Sequence, residues 1–121
     1  MTRIFARDAR KGGLTDKALR NAAAEIEAGL IDARLGGFLV KKRVAKAGHG
    51  KRGGFRIIVA HRQGDKVVCL YMFQKNELDN ISDKERLALS ELGDEYLGLA
   101  AEKLTALIAG GTLVEAKCDG D

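Results

Sequence analysis

The spacing of apolar residues changes from a helical period to a period of two after Gly36-Gly37, and no other feature constrains the fold as strongly. Upstream, a helix is predicted from a Thr15 N-cap to Gly29, because one narrow apolar stripe recurs at helical spacing. Downstream, three strand-like segments precede a second helical pattern that begins at Ser82. We therefore predict an α+β fold, a compact antiparallel sheet with helices packed on one side.

The first predicted strand follows Gly36-Gly37 and carries charge on one face. Phe38, Val40 and Val44 share the apolar face. Lys41 and Arg43 share the opposite face. Lys42 falls on the apolar parity, so we expect its amine to reach water at an edge of the sheet.

The next two predicted strands are joined by a turn at Gln63-Gly64-Asp65. Residues 48–54 include four glycines in seven residues and are predicted to form a loop. Phe55–His61 then alternates, with Arg56 opposite the apolar side chains. Val67–Phe73 is almost wholly apolar, which predicts a central strand covered on both faces.

The two ends of the chain are predicted from local signals. A short strand is predicted at Arg3–Ala6, followed by a loop over Arg7–Leu14. Ser82-Asp83-Lys84-Glu85 fits a capping box, and the helix that it begins is expected to bend or break at Gly93 or Gly98. Residues 112–116 fit either a last strand or a tail.

Composition limits the class of protein. With 121 residues and 45% hydrophobic residues, the chain is predicted to form a single domain over residues 1–121 and not to be disordered. No window approaches the roughly 18 apolar residues of a membrane span, and the first residues lack the apolar core of a secretory signal. Cys69 and Cys118 match neither a metal-binding spacing nor a disulfide scaffold, which favours a reducing cytoplasm.

Charge is distributed unevenly along the chain. Residues 1–75 contain 17 Lys and Arg against 6 Asp and Glu, whereas residues 76–121 contain 4 against 11. This asymmetry favours a polyanionic partner for one surface, with solvated surface charge as the alternative.

The basic residues concentrate between positions 41 and 56, where seven Lys and Arg occur without an acid. If the strands on either side of the glycine loop pair, Lys41, Arg43 and Arg56 can share one face. Such a cluster repels itself, and nucleic-acid phosphates would relieve the repulsion.

Other sites that bind phosphate or metal fit the sequence poorly. The glycine loop is not a P-loop, because Ala45 stands where the first glycine is required and Arg52 follows Lys51. His49 and His61 lack nearby cysteines and make a poor metal site, although His49 could move a proton. Cys69 fits core packing better than a nucleophile. We expect no metal and no small-molecule cofactor.

Several motifs together resemble the HigB-like branch of the RelE/ParE type II toxin–antitoxin toxin superfamily. The motifs are Leu35-Gly36-Gly37, Lys41-Lys42-Arg43-Val44-Ala45, Gly48-His49-Gly50-Lys51-Arg52-Gly53-Gly54-Phe55-Arg56 and Phe73-Gln74-Lys75-Asn76-Glu77. The likeness extends from Phe5 into the helix after Ser82.

The resemblance implies a metal-free endoribonuclease that cuts mRNA in the ribosomal A site. In this family basic residues of the central strands face the RNA. Carried over by position, these residues are Lys41, Arg43, Arg56 and Lys75, which we predict to be catalytic. We predict that the neighbouring residues of the cluster and glycine loop bind RNA, namely Lys42, Lys46, His49, Lys51 and Arg52. Lys41 would be the base, the two arginines would stabilise the phosphoryl oxygens, and Lys75 or His49 would assist the leaving oxygen.

The resemblance also implies partners and leaves one alternative. The partners are the ribosome, mRNA and a cognate antitoxin, a small DNA-binding protein with an acidic segment that covers the basic face. Many relatives carry a Tyr or His near the C-terminus as general acid, but residues 117–121 contain neither, and Tyr71 and Tyr96 lie elsewhere. The alternative is therefore a non-catalytic toxin or binding module of the same fold, which poisons gyrase or binds RNA without cutting it.

Overall fold

A computed structural model describes residues 1–46, 50–64, 66–74 and 81–115 of the chain, with backbone alone at 45–46 and 50–53. It contains helices and strands in the order that the change of period predicts, except that a helix replaces the strand predicted at the N-terminus and an unpredicted short strand precedes the first predicted one. The elements are α1 (Arg3–Gly12), α2 (Asp16–Glu27), β1 (Ala33–Gly36), β2 (Leu39–Lys46), β3 (Gly50–Arg62), β4 (Lys66–Gln74), α3 (Asp83–Leu97) and α4 (Ala101–Ala109).

The four strands form one antiparallel sheet in the order β1-β2-β3-β4. The predicted α+β class is thereby confirmed. The predicted central position of the apolar strand is wrong, because β4 lies at an edge of the sheet. It is apolar for a different reason: α1 contacts one of its faces and α3 the other. Val68 and Leu70 belong to the core under α3, and Met72 to the core on the opposite face.

Helices pack on both faces of the sheet, which corrects the prediction that they pack on one side. Side chains from α1 and α2, including Phe5 and Ile26, form one core with Val40 and Ile57 of the sheet. Leu97 of α3 belongs to a second core on the opposite face. Because β3 alternates between the two cores, it is buried on both faces from residue 57 to residue 60.

Residues 3–12 form α1 instead of the predicted strand and loop. The Thr2 hydroxyl accepts a hydrogen bond from the amide of Phe5 at 3.2 Å and caps the helix. Phe5 and Ala9, four residues apart, are buried, and the helix ends at Gly13 with φ of 81°. Two buried apolar positions among cations are too few to distinguish a helix from a strand in the sequence.

The predicted helices α2 and α3 are confirmed with their caps. Thr15 caps α2, whose residues Leu19, Ala22 and Ile26 are buried. Gly29 follows this helix with φ of 88°, as predicted. Ser82 and Glu85 form the expected capping box of α3.

Strand β3 extends through much of the predicted glycine loop. Residues 50–54 belong to this strand, and Gly50 pairs with Lys46 across the sheet. Glycine is compatible with an extended backbone, so the number of glycines in residues 48–54 could not show where the strand begins. Phe38 does not join the apolar face either: it precedes β2 and is 42% exposed.

The C-terminal part of the fold depends on two glycines. Gly98 ends α3, so that α4 is a separate helix. Gly93 lies inside α3, where a Cβ atom would come within 2.7 Å of Ala60 Cβ, and it therefore allows the helix to approach the sheet closely. Leu113 forms an isolated antiparallel β-bridge with Thr2, so the segment that begins at residue 112 makes one strand-like pairing with the N-terminus without forming a strand.

Cys69 packs against the core shared with α1 and α2, as predicted, and burial raises the pKa of its thiol to about 11.

Among the described residues, no helix is long and apolar enough to cross a membrane.

Candidate nucleic-acid interface

Three cations from β2 and β3 lie on one face of the sheet, and we call Lys41, Arg43 and Arg56 the basic surface. Arg43 is directly opposite Arg56 in the register of the two strands. Lys41 lies two residues before Arg43, so strand alternation places it on the same face. The strand pairing that the sequence required for this cluster is therefore present.

Within the described part of the chain, helix α3 leaves uncovered the end of this face that carries the basic surface. It approaches the sheet over Ala60 and Leu70, next to Leu39 at the start of β2. The basic surface begins two residues further along β2. There Lys41 is half-buried, Arg43 is exposed and Arg56 is half-buried.

The charges of the basic surface are incompletely neutralised. Arg43 Nε lies 3.3 Å from Asp32 Oδ2, and this pair is partly open to solvent. Arg56 Nη1 is buried and has no hydrogen-bond acceptor among the residues that the structure describes. An unmet donor of this kind costs about 1–3 kcal/mol, and an anion bound beside it would supply the acceptor.

Lys42 does not belong to the basic surface. It lies on the opposite face between Val40 and Val44 and is only 4% exposed, so it does not reach water at an edge as predicted. Its Nζ atom is 3.4 Å from Glu25 Oε1 of α2. The alternation of β2 turns this lysine toward α2, where a carboxylate compensates the buried charge.

The remaining predicted residues have no described side chains. Lys75 and His49 lie outside the described residues. Lys46 is at the end of β2, and Lys51 and Arg52 are near the start of β3, with only their backbone described. Their predicted contributions to catalysis and RNA binding stay predictions.

The structure adds two residues that the sequence reasoning did not place at this site. Asp32 immediately precedes β1, a strand that the sequence analysis missed, and only the strand register brings it near Arg43. Tyr71 lies opposite Ile58, and its ring centroid is 6.0 Å from that of Phe73. An irregularity in the pairing between Ile58 and Val59 shifts the alternation of β4, so the sequence pattern could not assign Tyr71 to a face.

Two acidic residues at the start of α3 stabilise the first turn of the helix. Glu85 belongs to the capping box, and Asp83 lies in the first turn. Within the described ranges, no group of three or more His, Cys, Asp or Glu side chains could hold a metal ion.

A small antiparallel α+β domain with three convergent cations and an unmet guanidinium donor has the features of a polyanion-binding protein. The family model described as "RelE toxin of RelE / RelB toxin-antitoxin system" matches residues 1–116. The chain belongs to this RelE toxin family and is a toxin of a toxin–antitoxin system, which implies a cognate antitoxin as partner. No curated protein matches the sequence.

Proposed function

We propose that this toxin is a ribosome-dependent mRNA endonuclease of the HigB-like branch, acting in the cytoplasm without a metal or another cofactor. The single observation that carries the proposal is the pairing of Arg43 with Arg56 beside Lys41 on one accessible face. Like charges directly opposite each other destabilise a sheet, and an anion bound between them would relieve the repulsion that Asp32 offsets only for Arg43. A phosphate of the RNA backbone fits both arginines.

The proposed reaction is transfer of the phosphoryl group to the neighbouring 2′-oxygen. The 2′-O–P bond forms and the P–O5′ bond breaks, which leaves a cyclic phosphate and a 5′-OH end. Lys41 takes the 2′-OH proton, because an amine can act as a base, whereas a guanidinium stays protonated. Arg43 and Arg56 stabilise the charge that develops on the phosphoryl oxygens.

The leaving 5′-oxygen needs a proton as the P–O5′ bond breaks. We assign this role to Lys75 or His49, as the family resemblance implies. Lys46, Lys51 and Arg52 would extend the contact with RNA phosphates along the two strands. Lys42 is left out of this interface because its amine is paired with Glu25 on the other face.

The test is primer extension on an mRNA under translation, with wild-type toxin and with Arg56→Ala. We expect discrete new 5′ ends with the wild type and at least a roughly 100-fold slower appearance with the variant, as for loss of one electrostatic stabiliser. Lys17→Ala removes an exposed cation of α2 and is the matched control. Undiminished cleavage by a folded Arg56→Ala protein would contradict the assignment.

The same experiment separates the alternative of a non-catalytic toxin. Intact message together with DNA damage would favour a gyrase poison, and intact message with RNA still bound would favour an RNA-binding module. In each case we propose that residues 1–121 act as one domain. We also propose that the antitoxin is a small DNA-binding protein whose acidic segment covers the basic surface.

A further inference from the structure

The ion pair between Asp32 and Arg43 places a carboxylate beside the basic surface. Oδ2 of Asp32 lies 3.3 Å from Nε of Arg43, and the two side chains are 23% and 46% exposed. An ion pair this open to solvent contributes little to stability. Its negative charge also repels the RNA phosphates that the basic surface is proposed to bind. The carboxylate can relieve repulsion between the cations, or it can hold the guanidinium of Arg43 in one orientation.

The backbone holds Asp32 against β2. Its amide donates a hydrogen bond to the carbonyl of Lys41 at 2.9 Å, and the next residue, Ala33, pairs with Lys41 in the register of β1 and β2. Just before Asp32, Ile31 packs against the core that α1 and α2 share with the sheet. The carboxylate is therefore carried by backbone that is fixed relative to the strand of Arg43, as the orientation of a side chain requires.

The two arginines of the basic surface differ in what restrains them. Arg56 is half-buried and its Nη1 atom is enclosed, so burial itself restricts this side chain. Arg43 is exposed, and a long exposed side chain samples many rotamers unless a contact restrains it. Ordering such a side chain during binding or reaction costs free energy, and a contact already present in the free protein reduces that cost. Asp32 supplies this contact for Arg43.

The atom that Asp32 contacts leaves the phosphate-binding fork of Arg43 in place. A guanidinium is planar, and its N–H donors point in fixed directions. A carboxylate at Nε restrains this plane without occupying the paired donors of Nη1 and Nη2. Those two nitrogens can form two parallel hydrogen bonds with a phosphoryl group. The contact is thus compatible with orientation of Arg43 toward an anion.

We propose that Asp32 is a positioning residue of the cleavage site, which orients Arg43 toward the phosphoryl group of the RNA. The inference rests on the proposed function, because it takes Arg43 to stabilise the charge that develops on the phosphoryl oxygens. Orientation raises the rate of the chemical step, whereas the negative charge of Asp32 weakens the binding of RNA. Asp32 therefore acts in opposite directions on rate and on affinity.

Two substitutions separate the charge of Asp32 from its ability to accept a hydrogen bond. Asp32→Asn removes the charge and keeps an oxygen that can accept from Nε, whereas Asp32→Ala removes both. Asp94→Ala is the matched control, because it removes the same charge from an exposed position of α3. Cleavage is followed on ribosomes stalled with mRNA in the A site and with toxin in excess. This gives a limiting rate and a half-saturating toxin concentration for each variant.

The limiting rates decide between orientation and relief of charge. Asp32→Ala should lower the limiting rate about 10-fold, since a small misplacement of a catalytic group can cost up to about 100-fold. Asp32→Asn should lower it less than about threefold, because the amide oxygen still accepts from Nε. Asp94→Ala should leave it unchanged. Equal limiting rates for the two Asp32 variants would show that Asp32 acts through its charge alone and would overturn the proposal.

The half-saturating concentrations test the opposite effect on affinity. Both Asp32 variants should lower this concentration by about threefold, because both remove the same repulsive charge near the RNA. A higher half-saturating concentration in both variants would mean that Asp32 contributes to binding and not to orientation.

Nuclear magnetic resonance of the free protein gives a measurement that does not depend on cleavage. The heteronuclear NOE of the Arg43 Nε–H group reports fast motion of this side chain. It should be close to the backbone values in wild type and in Asp94→Ala, and clearly lower in Asp32→Ala. A mobile Arg43 in the wild type would overturn the inference even if the toxin cleaves mRNA. A restrained Arg43 in a toxin that cleaves no mRNA would contradict the proposed function, and the role of Asp32 would fail with it.

Discussion

Arg43 and Arg56 are side by side on neighbouring strands, although like charges directly opposite each other destabilise a sheet. Asp32 offsets the charge of Arg43, while one nitrogen of Arg56 has no acceptor among the described residues. Residues retained at a cost in stability are a common property of binding surfaces. This property gives a measurable consequence at Arg56.

Replacing Arg56 by Met should stabilise the folded protein. The substitution removes a like-charge repulsion and a buried unmet donor, while the methionine keeps much of the apolar contact of the arginine stem. We expect the free energy of unfolding to rise by about 1 kcal/mol in urea titrations, with RNA affinity reduced. Arg34→Met on the edge strand β1 is the control and should change stability by less than about 0.5 kcal/mol. A destabilised Arg56→Met protein would show that the arginine is structural.

Lys42 and Glu25 should respond asymmetrically to mutation. Glu25→Ala leaves the amine of Lys42 buried without its carboxylate, which should cost about 3 kcal/mol of unfolding free energy. Lys42→Met leaves Glu25, which is 31% exposed, able to hydrate, so a loss of less than about 1.5 kcal/mol is expected. Lys42→Met should also bind RNA like wild type, and weaker binding would return Lys42 to the interface.

At the level of single residues, strand alternation was sufficient to place Lys41, Arg43 and Arg56 on one face. It was not sufficient for Lys42, because the partner of this lysine comes from a helix 17 residues earlier in the chain. Asp32 was missed for the same reason. A period of two defines the face of a side chain but not what packs against that face.

The elements differ in how well local sequence predicted them. Helices α2 and α3 begin with side-chain caps that belong to the first turn itself, so their starts could be predicted. Helix α1 has few apolar residues, and β4 occupies an edge that only the packing of α1 and α3 conceals. The β-irregularity near Tyr71 likewise depends on pairing with β3 and not on the sequence of β4 alone.

The contact between α3 and the sheet depends on the absence of a side chain at Gly93. Gly93→Ala should lower the unfolding free energy by about 1–3 kcal/mol, because the new methyl would lie 2.7 Å from Ala60 Cβ. Ala60→Gly removes the obstructing atom, so the double variant should recover about 1 kcal/mol relative to additivity. Gly98→Ala, at the end of the same helix, is the control. Strict additivity of the first two substitutions would mean that the helix does not touch the sheet there.

A carboxylate clasp joins the end of α2 to the β3–β4 turn and should make stability depend on pH. Glu27 accepts hydrogen bonds from His61 Nε2 and from the amide of Gly64, both at 2.6 Å. The hydrogen bond from His61, followed by that from Gly64, lowers the pKa of Glu27.

The direction of this pH dependence follows from the lowered pKa of Glu27. The stabilisation by the ionised Glu27 carboxylate is complete above the pKa that Glu27 has in the unfolded state, about 4.3. It is lost as the pH falls through the lower pKa that Glu27 has in the folded state. The melting temperature of wild type should therefore fall more steeply below about pH 4.3 than that of Glu27→Gln. Parallel melting curves for the two proteins would show that the clasp contributes nothing.

For the whole molecule, the proposed RNA binding could depend on the total charge of the protein or on where its charged residues lie. The chain has a net charge of +4, which alone would attract any polyanion weakly. The structure instead concentrates three cations on one face of the sheet, while the charge of Lys42 on the other face is compensated by Glu25. This concentration of cations predicts that substitutions that change the net charge equally change RNA affinity unequally, depending on where they lie.

The salt dependence of the proposed RNA binding measures this difference. Each phosphate contact with a single strand contributes about −0.7 to the slope of log K against log salt, because bound counterions are released. Arg43→Met should therefore make the slope less negative by about 0.7. Lys103→Met removes the same charge from the exposed surface of α4 and should leave the slope unchanged. Equal slopes for the two variants would mean that RNA responds to the charge of the whole protein, and the basic surface would lose its role as the site of contact.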